Sequence, residues 1–202
     1  MEHIYHKIAE EILENSISVN DQIIDLETVV ALREEATTDY ENGAFEKARI
    51  GKGIGKQRIA EIRGDQVRWL DKNRATQAHL TYWKWIDGLR NYLSEFFRIH
   101  LERTELHFAY YPKGAFYSRH LDQFKEHSDR IFSIILYLNT EWKPGDGGEL
   151  RAYEKDDSFT DYPPLGGRLI IFRSDVVEHE VLEAHAPRIS VTGWIRRDKL
   201  IY

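Results

Sequence analysis

Hydrophobic positions in the first half of the chain recur at helical spacing. Ile4, Ile8, Ile12 and Leu13 fall on one side of a helix that Asn15-Ser16 ends. Ile17-Ser18-Val19 and Ile23-Ile24 predict a short strand. Residues 26–40 predict a second helix, with Leu26, Val29, Val30 and Leu32 on its apolar side and Asn42-Gly43 as its stop. Residues 59–70 alternate enough to predict an extended pair or hairpin. Tyr82, Trp85, Ile86, Leu89, Leu93, Phe96 and Phe97 then mark one long amphipathic helix.

From Thr104 onward the period shortens. Runs rich in β-formers occupy 105–111, 116–120, 131–138, 149–153, 168–172, 179–183 and 189–195. Pro112-Lys113-Gly114, Pro144-Gly145-Asp146-Gly147-Gly148 and Pro163-Pro164-Leu165-Gly166-Gly167 are the turns between them. A helical block followed by seven or eight short strands predicts an α+β fold with a mainly β core, a sandwich or barrel whose one sheet is buttressed by helices. No repeat or linker divides the 202 residues, so one domain is expected.

Composition narrows the chemistry. The chain has no cysteine and nine histidines, so any metal must sit on imidazole and carboxylate rather than thiolate. Its 25 aromatic residues (5 Trp, 11 Tyr, 9 Phe) suit a β-rich interior. A formal net charge of −6 argues against general nucleic-acid affinity. The first residues show no basic-then-apolar leader and no apolar stretch approaches membrane-spanning length; with the missing cysteines this fits a cytoplasmic location. The basic, glycine-rich run 47–58 has the look of a phosphate loop, but no Ser or Thr follows a Gly-Lys pair, and a mobile surface loop is expected there.

An oxygen-activating non-haem iron site needs two imidazoles and one carboxylate on one face of the metal. Three His-x-Asp/Glu matches exist: His100-Leu101-Glu102, His120-Leu121-Asp122 and His127-Ser128-Asp129. The first caps the long helix, where a surface pair is expected, and the third lies in a polar stretch. Only His120 ends a strand-like run and is followed by another. Towards the C-terminus, His179 begins a strand and Arg188 follows nine residues later. Alternation puts Arg188, Ser190, Thr192 and Trp194 on one face of the last strand. An inward Arg among apolar strands is costly unless it meets an anion, either a buried acid of the chain or a bound carboxylate.

This arrangement resembles the 2-oxoglutarate-dependent oxygenases with a double-stranded β-helix (jelly-roll, cupin-like) core. Within them it is similar to the prolyl hydroxylases of the hypoxia-inducible-factor type and their bacterial relatives. The resemblance is carried by His120-x-Asp122, His179 and Arg188, and by Asn42-Gly43-Ala44-Phe45, Arg63-Gly64-Asp65-Gln66-Val67-Arg68-Trp69, Ala109-Tyr110-Tyr111-Pro112, Tyr137-Leu138-Asn139-Thr140-Glu141-Trp142 and Gly147-Gly148-Glu149-Leu150-Arg151. Collagen-type relatives place Lys where Arg188 stands. The resemblance implies helical support and a substrate-side loop in residues 1–100 and the β core in 101–202.

The implied roles follow. Iron(II) takes His120, Asp122 and His179. The far carboxylate of 2-oxoglutarate meets Arg188 and Tyr137, with Tyr111 and Thr192 near its chelating end. Tyr117, Arg130, Trp194, Arg63 and Asp65 line the substrate side, and the 47–58 run is expected to order on substrate binding. The implied reaction hydroxylates C4 of a prolyl residue in an exposed loop of a partner protein, a translation elongation factor in bacterial relatives. It consumes O2, releases succinate and CO2, and draws on ascorbate as reductant. Free proline or another small molecule is the alternative substrate, and a non-catalytic β-barrel sensing 2-oxoglutarate or oxygen is the alternative class.

Overall fold

The computed structural model describes residues 1–48, 62–123 and 129–197. Most of the 47–58 run and all of His127-Ser128 therefore lie outside the described residues. Helix α1 spans Glu2–Asn15 and ends on Ser16, whose φ of 63° is the left-handed turn that stops a helix. Strand β1 (Ile17–Asp21) follows, then α2 (Leu26–Glu41). The Asp25 carboxylate accepts from Thr28 N at 2.7 Å and caps α2. Helix α3 (Gln77–Phe97) is capped by Thr76 and buries Tyr82, Trp83, Trp85, Ile86, Leu89 and Leu93.

The remaining elements are strands: β2 (Glu46–Lys47), β3 (Gln66–Trp69), β4 (Arg103–Tyr111), β5 (Tyr117–His120), β6 (Arg130–Tyr137), β7 (Leu150–Tyr153), β8 (Phe159–Tyr162), β9 (Arg168–Arg173), β10 (Glu178–Val181) and β11 (Arg188–Arg196). They form a seven-stranded sheet in the order β1-β9-β6-β11-β4-β3-β2 and a four-stranded sheet in the order β5-β10-β7-β8. Every pairing between these strands is antiparallel.

Alternation assigns the two faces of the large sheet. Leu106 and Phe108 of β4, Ile134 and Leu136 of β6, and Val191 and Ile195 of β11 pack with the helices. Ala109, Tyr111, Ile135, Tyr137, Ile170 and Phe172 point the other way and meet Leu150, Ala152 and Val181 of the small sheet. The second cluster is the interior of a β sandwich, and polar side chains that share its face are forced inward.

Three readings of the pattern are corrected. Leu13 and Leu26, placed on apolar helix faces, are exposed, because each lies at the margin of its helix's buried side. Residues 59–70 do not form a hairpin of their own among the described residues; β3 pairs with β2 and β4 instead. Strand β8 was not anticipated. It is an edge strand whose first three residues are exposed, and Tyr162 alone of its residues packs on the second cluster, too little apolar alternation to betray it.

Candidate metal and cosubstrate site

His120 ends β5 and His179 lies opposite it on β10, so backbone register alone brings the two imidazoles together. Their ring centroids are 4.3 Å apart. Asp122, two residues past the strand end, brings Oδ1 to 3.5 Å from His120 Nε2 and Oδ2 to 3.9 Å from His179 Nε2. The three ligand atoms all lie within 4.8 Å of one another. Donors on one face of an ion at about 2.1 Å would stand roughly 3 Å apart, so a small inward shift closes the set around a metal.

The other nitrogen of each imidazole is already committed. His120 Nδ1 is 2.7 Å from the Ser118 carbonyl and His179 Nδ1 is 3.0 Å from the Val177 carbonyl. A carbonyl can only accept, so Nδ1 carries a proton and Nε2 is the atom turned towards Asp122. Burial pushes the His179 imidazole down to about 4, which keeps it neutral for ligation. Burial would raise Asp122, but His120, His179 and the Ser133 hydroxyl outweigh it and hold the carboxyl well below its usual range. Ser133 Oγ donates to Asp122 Oδ2 at 2.7 Å and stands 2.8 Å from Ser174 Oγ. Gln123 N donates to the Ser174 carbonyl at 3.0 Å, which fixes the turn carrying Asp122.

Arg188 begins β11 on the inward face and is 3% exposed. Its Nε donates to the Gly148 carbonyl at 2.9 Å, and one terminal nitrogen lies 3.4 Å from Tyr137 Oη. Its guanidinium carbon lies 4.6 Å from the Tyr111 ring centre and 4.9 Å from that of Tyr137. Among the described residues no carboxylate comes within 4.0 Å of it, which removes the reading in which it pairs with a buried acid of the chain. Burial raises both tyrosines, so they remain phenols able to donate. A buried cation flanked by two hydroxyl-bearing rings can receive a carboxylate bidentately.

Gly148 holds this pocket through its backbone. Its φ is +75°, and a Cβ there would stand 3.0 Å from Arg188 Cδ. We predict that Gly148→Ala weakens cosubstrate binding about tenfold while leaving metal binding intact, as isothermal titration of 2-oxoglutarate into the Mn(II) protein would measure.

The substrate-side candidates also converge. The Arg63 side chain donates to both Asp65 carboxylate oxygens at 2.6 Å and lies 4.3 Å from the Tyr117 ring centre. Tyr117 in turn stacks on His120 at 3.7 Å. Arg130 Nη1 donates to the Asp122 carbonyl at 3.2 Å, and its guanidinium carbon lies 3.5 Å from the Trp194 ring centre. Thr192 shares a 3.0 Å hydroxyl contact with Ser190. Tyr111 sits against Arg188 and is also within electrostatic reach of Asp65, Arg63 and Tyr117. His100 makes the exposed pair with Glu102 expected of it.

Ser133, Ser174, Gly148 and His107 were not anticipated. His107 is inward on β4, and burial pushes it down to about 4. Because the folded value lies below the ordinary 6.5, the folded chain binds fewer protons than the unfolded one. The associated stability is complete above about pH 6.5 and is lost as pH falls towards 4, amounting to roughly 3 kcal/mol. Urea unfolding of the metal-free protein at pH 7 and 4.5 should show a smaller loss in His107→Phe than in the wild type.

Comparison with known proteins agrees with this geometry. The family model of the 2OG-Fe(II) oxygenase superfamily matches residues 106–196. A crystal structure of a Pseudomonas putida prolyl-4-hydroxylase superposes with a TM-score of 0.87 at 36% identity, covering 96% of this chain and 100% of that one. The chain belongs to the 2OG-Fe(II) oxygenase superfamily. It is a 2-oxoglutarate-dependent dioxygenase. A Trichoplax adhaerens prolyl hydroxylase, solved with a hypoxia inducible factor oxygen degradation domain peptide fragment, shares the fold with a TM-score of 0.87 at 22% identity, covering 97% of this chain and 90% of that one. A Xenopus laevis prolyl 3-hydroxylase OGFOD1 is 33% identical over 119 residues, which are 54% of this chain and 23% of that protein. The chain thus spans about a quarter of that curated relative.

Proposed function

We propose that this oxygenase hydroxylates a prolyl residue at C4 in an exposed loop of another protein, and that its two sheets form a double-stranded β-helix. The observation that carries the substrate reading is likeness to a bacterial prolyl-4-hydroxylase along the whole of both chains. A translation elongation factor is the partner we infer, by resemblance to bacterial enzymes of this type, with ascorbate as the reductant and the cytoplasm as the compartment.

His120, Asp122 and His179 hold iron(II) in this reading. Two imidazoles protonated on Nδ1 and one carboxylate, each oriented by a second hydrogen bond, would fit that ion. Iron supplies the activation of O2 that is coupled to oxidative decarboxylation of 2-oxoglutarate. The chain's own work is binding and orientation. Arg188 and Tyr137 receive the far carboxylate of the cosubstrate, Tyr111 and Thr192 border its other end, and the apolar second cluster excludes water. Tyr117, Arg130, Trp194, Arg63 and Asp65 shape the mouth where the proline enters.

Anaerobic titration of apoprotein with iron(II) and then 2-oxoglutarate tests the site. A visible metal-to-ligand charge-transfer band is expected, followed in air by succinate formation stimulated by proline-containing peptides. No band would overturn the assignment of the residues, and a band without peptidyl-proline oxidation would overturn the substrate.

A further inference from the structure

His107 shares its face of β4 with Ala109 and Tyr111 and lies opposite Thr192 on β11 and Trp69 on β3. Its ring packs against those of Trp69, at 4.8 Å, and Trp194, at 5.4 Å, and the two indoles lie 6.3 Å from each other. The residue is 3% exposed, and its Nδ1 is buried with no hydrogen-bond partner among the described residues. Trp194 Nε1 is likewise buried without a partner. Buried polar ring atoms are nearly always paired. Two on neighbouring rings of one wall point to a ligand that supplies both partners.

The position of this wall relative to the cosubstrate follows from register. Trp194 is six residues from Arg188, roughly 20 Å of extended strand. Ser133, which binds Asp122, is the β6 partner of Trp194. The metal triad is therefore tied to the level of Trp194, and a cosubstrate held at Arg188 occupies the face between. The His107 imidazole also lies within electrostatic reach of Asp65, Arg63, Arg130 and Asp122.

The chemistry of the pair is specific. An indole N–H only donates. An imidazole kept neutral by burial offers one N–H and one lone pair. Two uncharged groups of this kind match the carbonyl and N–H of a peptide unit, whereas a carboxylate or ammonium would bring a charge to be desolvated. Trp69 continues the wall outward and is 55% exposed, leaving an apolar surface beside the pair.

We propose that His107 and Trp194 form a subsite that hydrogen-bonds a backbone amide of the substrate next to the reacting residue, selecting a residue within a polypeptide over the free amino acid. The inference rests on the reading of the chain as a prolyl hydroxylase. It adds His107, which that reading does not use, as a specificity-determining residue.

The test uses full-length wild type, His107→Phe, His107→Gln and Trp194→Phe, each first checked for the iron(II)–2-oxoglutarate charge-transfer band. The probes are a panel of acetylated, amidated peptides with one central proline, and free L-proline. In His107→Phe and Trp194→Phe, KM for peptides should rise about tenfold or more with kcat within about twofold. Gln, which keeps an N–H and a carbonyl, should recover part of the loss. Wild-type KM in His107→Phe overturns the proposal, as does a fall in kcat alone. A wild type that prefers L-proline, or oxidises no peptide, also overturns it, because the amide is common to every peptide. Should His107→Phe lack the band, Trp194→Phe on the other strand decides. Absence of the band in the wild type itself would instead sink the oxygenase site, so the two failures are distinguishable.

Discussion

Arg188→Met should leave the Mn(II) protein without 2-oxoglutarate more stable than the wild type, and should weaken its binding of 2-oxoglutarate severely. The buried guanidinium has a carbonyl and a phenol as partners but no carboxylate within 4.0 Å among the described residues. A buried charge that lacks its counter-ion costs stability, and an apolar side chain of similar length removes that cost. We expect a gain of about 1–3 kcal/mol, or several degrees in Tm for a chain of this size. The same substitution removes the guanidinium beside Tyr137 that can meet a carboxylate bidentately. Losing one partner of such a pair costs about 2–5 kcal/mol, so the Kd for 2-oxoglutarate should rise by about 30-fold to several thousandfold. Differential scanning calorimetry on the Mn(II) protein measures both effects in one series. Added 2-oxoglutarate should raise the wild-type Tm and leave the variant unmoved. A variant that is less stable without 2-oxoglutarate and still responds to the cosubstrate would mean that Arg188 is a structural residue.

That opposition between stability and function explains why Arg188 was readable in the sequence. Alternation turns it to the inward face of its strand, and an inward charge with no acid beside it in the sequence points to a ligand. His120, Asp122 and His179 were readable for a related reason: strand ends and turns around them follow from β-forming runs and Gly-Pro punctuation. The helices and seven of the core strands were legible because burial on one face imposes a period. Strand β8 was not, since three of its four residues are exposed and Tyr162 alone among them packs on the core. The orienting groups were hidden for another reason. Ser133 is 11 residues from Asp122 and Ser174 is 41 from Ser133, and nothing in the sequence distinguishes a serine that fixes a ligand from one that faces water. His107 could have been found: alternation in 105–111 places it on the face of Tyr111, which the resemblance had already assigned to the site.

The second large effect belongs to the triad and separates ligands from their supports. His179→Ala removes an imidazole that is 4% exposed, neutral, and locked by the Val177 carbonyl. Water cannot replace it in the same position without losing that orientation, so turnover should fall by about a thousandfold or more and iron(II) binding should weaken beyond the micromolar range. Ser133→Ala keeps all three ligands and removes one hydroxyl donor from Asp122. Groups that orient a metal ligand are worth about 10- to 100-fold in affinity, and a loss in that range is expected here, with the 2-oxoglutarate site at Arg188 untouched. Competition with a chromophoric chelator under anaerobic conditions ranks the three proteins directly. If Ser133→Ala bound iron as the wild type does, Asp122 would be positioned by its turn alone. The Gln123–Ser174 and Arg130–Asp122 backbone contacts would then carry the preorganisation that the hydroxyl is assigned here.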